Sequence, residues 1–146
     1  MLSIGPREQA AIALRDELKT ILVTAGVIIA KKKVLVAQRM EGAPRGLLWE
    51  FPGGKVKEGE DPRKALRREL KEELDVDVEV GKILEVIFHP YPEYPILLLT
   101  YHCQIKKGVP KPIGCHDLRW VSFEELNGLA MAPADEPIRK QLGSFL

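Results

Sequence analysis

Long apolar runs are missing from this chain of 146 residues. The longest, Ile21 to Ala30 and Ile96 to Thr100, are too short to span a bilayer and suit buried strands. Net charge is nearly absent as well: 22 Lys and Arg against 21 Asp and Glu leave +1. The basic residues are spread along the chain, so bulk electrostatics point to neither a nucleic-acid polymer nor a membrane surface as partner. Cysteine is limited to Cys103 and Cys115, and no charged-then-apolar leader opens the sequence, so a reduced, cytoplasmic setting is expected. Of three histidines, His89 and His102 lack metal-ligand spacing to one another and read as structural. The length suits one domain with a real core.

What the chain does have is acid at helical spacing. From Pro62 to Leu74, Leu66, Leu70 and Leu74 recur every fourth residue and form one apolar stripe of a helix. Asp61 is placed to cap it, and Pro62 occupies the first helical position, where a missing N–H costs nothing. Beside that stripe Glu69, Glu72 and Glu73 stand at i, i+3 and i+4, so their carboxylates meet on one patch and repel. Such a patch is either a solvated surface or a seat for a hard divalent cation, which takes oxygen ligands. Three further features favour the second reading: the Gly53-Gly54 pair ahead of the helix, Glu60 just before its start, and Arg68 placed to orient a carboxylate.

The segment resembles the Nudix box, G-x5-E-x7-R-E-U-x-E-E-x-G-U with U aliphatic. Gly54, Glu60, Arg68, Glu69, Leu70, Glu72, Glu73 and Val76 fall on it. Asp75 stands where the pattern has glycine, and Asp tolerates the left-handed conformation that ends a helix, at a small cost in stability. Leu48-Trp49-Glu50-Phe51-Pro52-Gly53-Gly54-Lys55 is similar to the approach to the box in the MutT branch, and Met131 to Ile138 to that branch's base-reading segment. The resemblance covers roughly residues 22 to 142. It implies an α+β fold, the Nudix α/β/α sandwich with a mixed, curved sheet between helices, in a domain of residues 21–146 behind an N-terminal helical extension of residues 1–20.

The resemblance also implies a reaction and its residues. A nucleoside triphosphate would be hydrolysed at its β-phosphorus to nucleoside monophosphate and pyrophosphate. Mg²⁺, or alternatively Mn²⁺, would be held by Glu69, Glu72, Glu73 and the Gly53 carbonyl. Glu69 is the first candidate for general base, with Arg68 and Glu60 orienting the site. Arg39 would face the phosphates with its planar fork, and Lys55 would counter their charge. Phe51 would lie near the base, while Trp49 reads as core. Asp135 would read the base by accepting from a ring N–H or exocyclic amine when ionised, and could donate if burial raised its pKa; an ordinary helix N-cap is compatible with that role. The branch's loop glutamate is replaced by Gly114 and Cys115, which leaves His116 or Asp117 as substitutes. Other readings are a hydrolase of nucleotide sugars or dinucleotide polyphosphates and a silent nucleotide-binding module. The protein is expected to be a monomer or a homodimer.

The remaining sequence supplies the frame. Ala10, Ala11, Leu14 and Leu18 suggest an N-terminal helix over residues 6 to 20. Leu22 to Ala30 and Val34 to Arg39 read as a hairpin through three lysines, and Met40 to Leu48 as a loop. Val76 to His89 reads as a strand broken at Gly81, His89 to Pro95 as a proline-rich loop, and Ile96 to Ile105 as a buried strand. Asp117 to Val121 is the last expected strand. Ser122 and Glu125 form a capping box for the helix that follows, and a final helix runs from Pro137 to Leu142.

Overall fold

A computed structural model describes residues 3–10 and 19–143. Residues 6–10 are helical; residues 11–18 of the expected N-terminal helix, with Ala11, Leu14 and Leu18, lie outside the described residues, and Lys19 and Thr20, expected in it, are not helical. The sheet is built around β1 (Ile21–Ala30), whose β-branched residues suit a strand covered on both faces. It turns through Lys31 and Lys32, both at positive φ, into β2 (Lys33–Gln38). Two successive left-handed residues match the twist of a two-residue hairpin. The short strands β3 (Trp49–Glu50) and β4 (Gly53–Lys55) follow, pairing with β2 and β1 respectively.

The helix α1 (Pro62–Leu74) begins as expected: Asp61 accepts from the Arg63 and Lys64 amides, and Pro62 opens the first turn. It ends at Asp75 with φ 56°, the left-handed conformation that glycine commonly provides. The long strands β5 (Asp77–Pro90) and β6 (Pro95–Lys107) come next, then β7 (Asp117–Val121), α2 (Phe123–Asn127), a single 3-10 turn (Pro133–Asp135) and α3 (Glu136–Leu142). Ser122 and Glu125 make the capping box.

The strand order is β3-β2-β1-β6-β5, with β4 on β1 and β7 on β2. Among the described strands only β1 and β6 run parallel, so the sheet is mixed. Alternation along β1 feeds two cores. Ile28 packs with Leu66, Leu70 and Leu74 of α1, while Val27 packs with Leu126, Ile138 and Leu142 of the C-terminal helices. The result is a mixed sheet flanked by helices. Trp49 is core, as expected.

Two expected boundaries shift. The loop after β5 is only Tyr91 to Tyr94, because His89 and Pro90 pair with Ile96 and Pro95. Pro90 is tolerated at the end of the edge strand β5, and Pro95 as the first residue of β6. Gly81 does not end the strand but sits in an irregularity of pairing between Val80 and Ile83. Among the described residues, no helix is long and apolar enough to cross a membrane.

Candidate active site

A cleft of about 350 Å³ opens between α1, β1, β4, the 40–48 loop and the tip of the β5–β6 hairpin. At one end α1 delivers Glu69 and Glu73 from successive turns of a partly buried flank, with Gly53 and Gly54 opposite. Close approach explains both glycines. A Cβ on Gly53 would lie 2.0 Å from the Thr24 carbonyl oxygen, and one on Gly54 would lie 2.4 Å from the Glu69 carboxyl carbon. The Pro52 carbonyl accepts from the Gly26 amide at 2.8 Å. Because carbonyls alternate along an extended strand, that of Gly53 faces away from β1, on the side where β4 has no strand partner.

Arg68 organises the helix acids. Its Nε and Nη2 grip the two Glu60 oxygens at 2.8 and 2.9 Å, Nη1 donates to Glu69 at 2.9 Å and to Glu72 at 3.2 Å, and Nη2 also reaches the Lys55 carbonyl. That guanidinium, with the Lys57 amide, holds the Glu60 carboxyl down at about 2. Glu72 does not enter the cleft as Glu69 and Glu73 do; it stays at the rim, with its side chain 56% exposed. Glu73 has the opposite environment. Burial, and then the charges of Glu69, Glu50 and Glu72, push its pKa up to about 8.

A buried carboxyl crowded by like charges is what a hard divalent cation relieves, and every donor here is oxygen. The donor set therefore fits such an ion. Among the described residues, no three acids, imidazoles or thiols are gathered tightly enough to enclose one as they stand, since Arg68 holds Glu69 and Glu72.

At the other end of the cleft Asp135 is buried, at 5% exposure. Burial raises its pKa well above the ordinary aspartate value, the charge of Glu50 raises it further, and Arg39 and the Phe51 amide oppose. The sequence allows Asp135 to cap the final helix, and the structure corrects this. It stands at the N-cap position with helical backbone angles and makes no side-chain cap bond. Its carboxyl is turned to the cleft and to Phe51 instead. Phe51 lines the cleft while packing in the core. Arg39 lies between the two ends: its Nη1 meets Glu50 at 3.0 Å, its Nε donates to the Pro44 carbonyl at 2.8 Å, and its charge is felt at both Glu73 and Asp135. Lys55 is on the lining, its Nζ 5.1 Å from the Tyr94 ring centroid.

Neither His116 nor Asp117, the expected substitutes for the loop glutamate, lines the cleft. His116 is exposed, and Asp117 accepts from its neighbour Leu118 and faces Arg119 at 3.8 Å. The loop approaches the site through Gly114, where an added Cβ would lie 2.8 Å from Glu73 Cγ. Cys115 is half-buried, and burial followed by the charges of Glu73, Glu50 and Asp117 pushes its thiol up to about 11.

Sequence reasoning missed Glu50, Tyr91 and Tyr94, all on the cleft. Glu50 carries a readable signal, an acid between two residues destined for the core. Burial raises its pKa, against the pull of Arg39. The tyrosines carry no local signal, because only the long β5–β6 pairing places them there.

Comparison with known proteins adds to this geometry. The NUDIX domain profile matches residues 20–142. The chain is 42% identical over 81 residues to an 8-oxo-dGTP diphosphatase of Proteus vulgaris, covering 55% of this chain and 72% of that protein. It is 36% identical over 121 residues to the CTP pyrophosphohydrolase of Escherichia coli K12, covering 83% and 90%. The solution structure of a MutT protein from methicillin-resistant Staphylococcus aureus 252 superposes with a TM-score of 0.72 at 37% identity, covering 88% of this chain and 98% of that one. A glycine-lined cleft, an arginine-braced row of acids on α1 and a match spanning nearly the whole chain agree: the protein belongs to the Nudix hydrolase family.

Proposed function

We propose that this chain hydrolyses a modified or oxidised nucleoside triphosphate to nucleoside monophosphate and pyrophosphate, clearing such nucleotides from the cytoplasmic pool. One observation carries the reading: a single cleft joins the acids of α1 to the buried Asp135, with Arg39 electrostatically coupled to both. That spacing of functions suits a ligand with a phosphate chain at one end and a hydrogen-bonding base at the other. The relatives named for 8-oxo-dGTP and CTP support it, and residues 21–146 would form the hydrolase domain behind an extension of residues 1–20.

Glu69, Glu72, Glu73 and the Gly53 carbonyl would hold Mg²⁺, or alternatively Mn²⁺, which when bound neutralises phosphate charge and acidifies water. Glu69 is the base in this reading: Arg68 engages its Oε1, which leaves the other oxygen to accept the water proton. Arg39 and Lys55 meet the phosphates with hydrogen-bond donors and positive charge. Asp135, whose pKa burial raises, meets the base, donating to a carbonyl or ring nitrogen when protonated and accepting from an N–H when ionised. The Phe51 backbone fixes its direction.

The test is pyrophosphate release with Mg²⁺ from 8-oxo-dGTP, dGTP, CTP, 5-methyl-dCTP and ADP-ribose, with Glu72→Gln and Glu73→Gln as controls. Release from one or a few triphosphates, lost in both variants, is expected. Turnover of ADP-ribose alone would favour a nucleotide-sugar hydrolase, and binding without turnover would leave a silent module.

A further inference from the structure

Three segments remote in sequence meet over the mouth of the cleft. The first is the 40–48 loop, stiffened by the Arg39 bond to Pro44, a Gln38 side-chain bond to the Leu47 carbonyl, and left-handed Arg45 and Leu47. The second is the hairpin tip with Tyr91 and Glu93. The third is the turn that carries Ala134 and Asp135. Arg45 Nη1 crosses the mouth to Glu93 at 2.5 Å, and its guanidinium lies 3.6 Å from the centroid of the Tyr91 ring. The Tyr91 hydroxyl in turn accepts from the Ala134 amide at 3.0 Å, one residue from Asp135, and the centroids of the Tyr91 and His89 rings are 4.3 Å apart.

We infer that Arg45, Glu93 and Tyr91 form a clasp, and that Arg45 is a positioning residue that acts through Tyr91 on the base-reading Asp135. The inference deepens the nucleotide-hydrolase reading and rests on it. Arg45 and Glu93 are 18% and 35% exposed, so their ion pair alone is screened and weak. The stack on a nearly buried tyrosine is not screened in that way. A guanidinium can stack and donate at once, whereas an ammonium cannot do both at this site. Because the tyrosine hydroxyl is bonded to the turn bearing Asp135, a shift of the ring is transmitted to the carboxyl that meets the base. The contacts of the clasp lie at the base-reading end of the cleft.

Arg45→Lys, Arg45→Ala, Tyr91→Phe and Glu93→Gln should be prepared in the full chain. Two quantities are read: the ratio of kcat/KM for the best triphosphate over a poor one, and the affinity for the matching nucleoside monophosphate without metal. Arg45→Ala should lower both by about tenfold, within the range of a desolvated cation–π contact, and Tyr91→Phe, which keeps the ring but leaves the Ala134 amide without its acceptor, by a similar factor, as expected for an unpaired buried donor. The double variant should lose little more than either alone. Arg45→Lys should fall between, and Glu93→Gln should have a smaller, salt-sensitive effect. An unchanged ratio and affinity alongside a lowered unfolding temperature would overturn the inference, leaving a brace of the loops. Should Arg45→Ala fail to fold, Arg45→Lys and Tyr91→Phe decide by the same criterion. If the wild type turns over no triphosphate, the hydrolase reading fails on its own. The monophosphate affinities still judge the clasp, and equal affinities across the series would end it.

Discussion

Adjacent glycines in β4 separate stability from catalysis. In Gly53→Ala the new Cβ lies 2.0 Å from the Thr24 carbonyl oxygen, 2.7 Å from Ala25 Cα and 2.8 Å from the Thr24 carbonyl carbon. All three are main-chain atoms, so β4 must part from β1, and the cost is about 3 kcal/mol or more. In Gly54→Ala the three atoms nearest the Cβ all belong to the Glu69 carboxylate, its carbon at 2.4 Å. An ordinary contact is about 3.5 Å, so the carboxylate must withdraw by about 1 Å. A side-chain tip can make that move for ~1 kcal/mol. It leaves the grip of Arg68, however, and a displacement of about 1 Å at a reacting group costs on the order of 10²-fold in rate. Urea unfolding and initial rates of pyrophosphate release should therefore disagree in opposite senses: Gly53→Ala unstable, Gly54→Ala stable and slow. A stable Gly54→Ala enzyme with an undiminished rate would refute the placement of Glu69 in the chemistry.

Burial raises the Asp135 pKa, so the fold favours its protonated form. Below the unfolded value of about 3.9 both states carry the proton; as pH rises past it the unfolded chain ionises first and native stability falls until the folded group ionises. Asp135→Asn removes that decline, so unfolding temperatures measured across pH should diverge toward neutrality in the variant's favour; parallel curves would refute the buried neutral carboxyl. Arg39→Met strands Glu50 and should cost about 1–2 kcal/mol by urea unfolding, less than a fully buried pair because both side chains are about a quarter exposed, with little cost in a Glu50→Gln background. Burial pushes the thiols of Cys103 and Cys115 up to about 12 and 11, so a thiol-reactive dye at pH 8 should label the native protein slowly, Cys115 first, and the unfolded chain rapidly. Gly114→Ala should slow turnover and also cost stability, because its Cβ meets Glu73 at Cγ, Cβ and the main-chain Cα, at 2.8, 3.1 and 3.2 Å; full activity at unchanged stability would show that the loop gives way instead.

Where a feature depends on neighbours within one turn or one hairpin, it was legible. The leucine stripe, Asp61, Pro62 and Asp75 define α1 from both ends, and the structure reproduces each detail. The capping box at Ser122 and the lysine turn are equally local. Features set by pairing across the sheet were not legible. Nothing within a few residues of Tyr91 shows that β5 carries it over the cleft, and nothing near Arg45 shows that it stacks there. Asp135 is instructive in another way. The helix after it predicts a cap, yet the 3-10 turn from Pro133 gives Asp135 helical backbone angles, and its carboxyl is left for the cleft.

The loop before β7 is the sharpest case. Sequence reasoning looks there for an acid and finds only His116 and Asp117, both of which face elsewhere. The loop's contribution is made by its main chain. The Ile113 and Gly114 amides donate to the Glu73 carbonyl at 3.1 and 3.0 Å, and the Lys111 amide donates to the Leu74 carbonyl at 2.9 Å. These bonds satisfy carbonyls that a helix end otherwise leaves orphaned, and so they fix the turn from which Glu73 projects. Gly114 can lie this close only because it lacks a side chain, so a glutamate at that position would push Glu73 away instead of assisting it. The acid beyond the helix comes from the opposite wall: Glu50 of β3 raises the pKa of both Glu73 and Asp135. The further acid on the cleft thus stands on a strand, and the loop holds the helix end with its main chain.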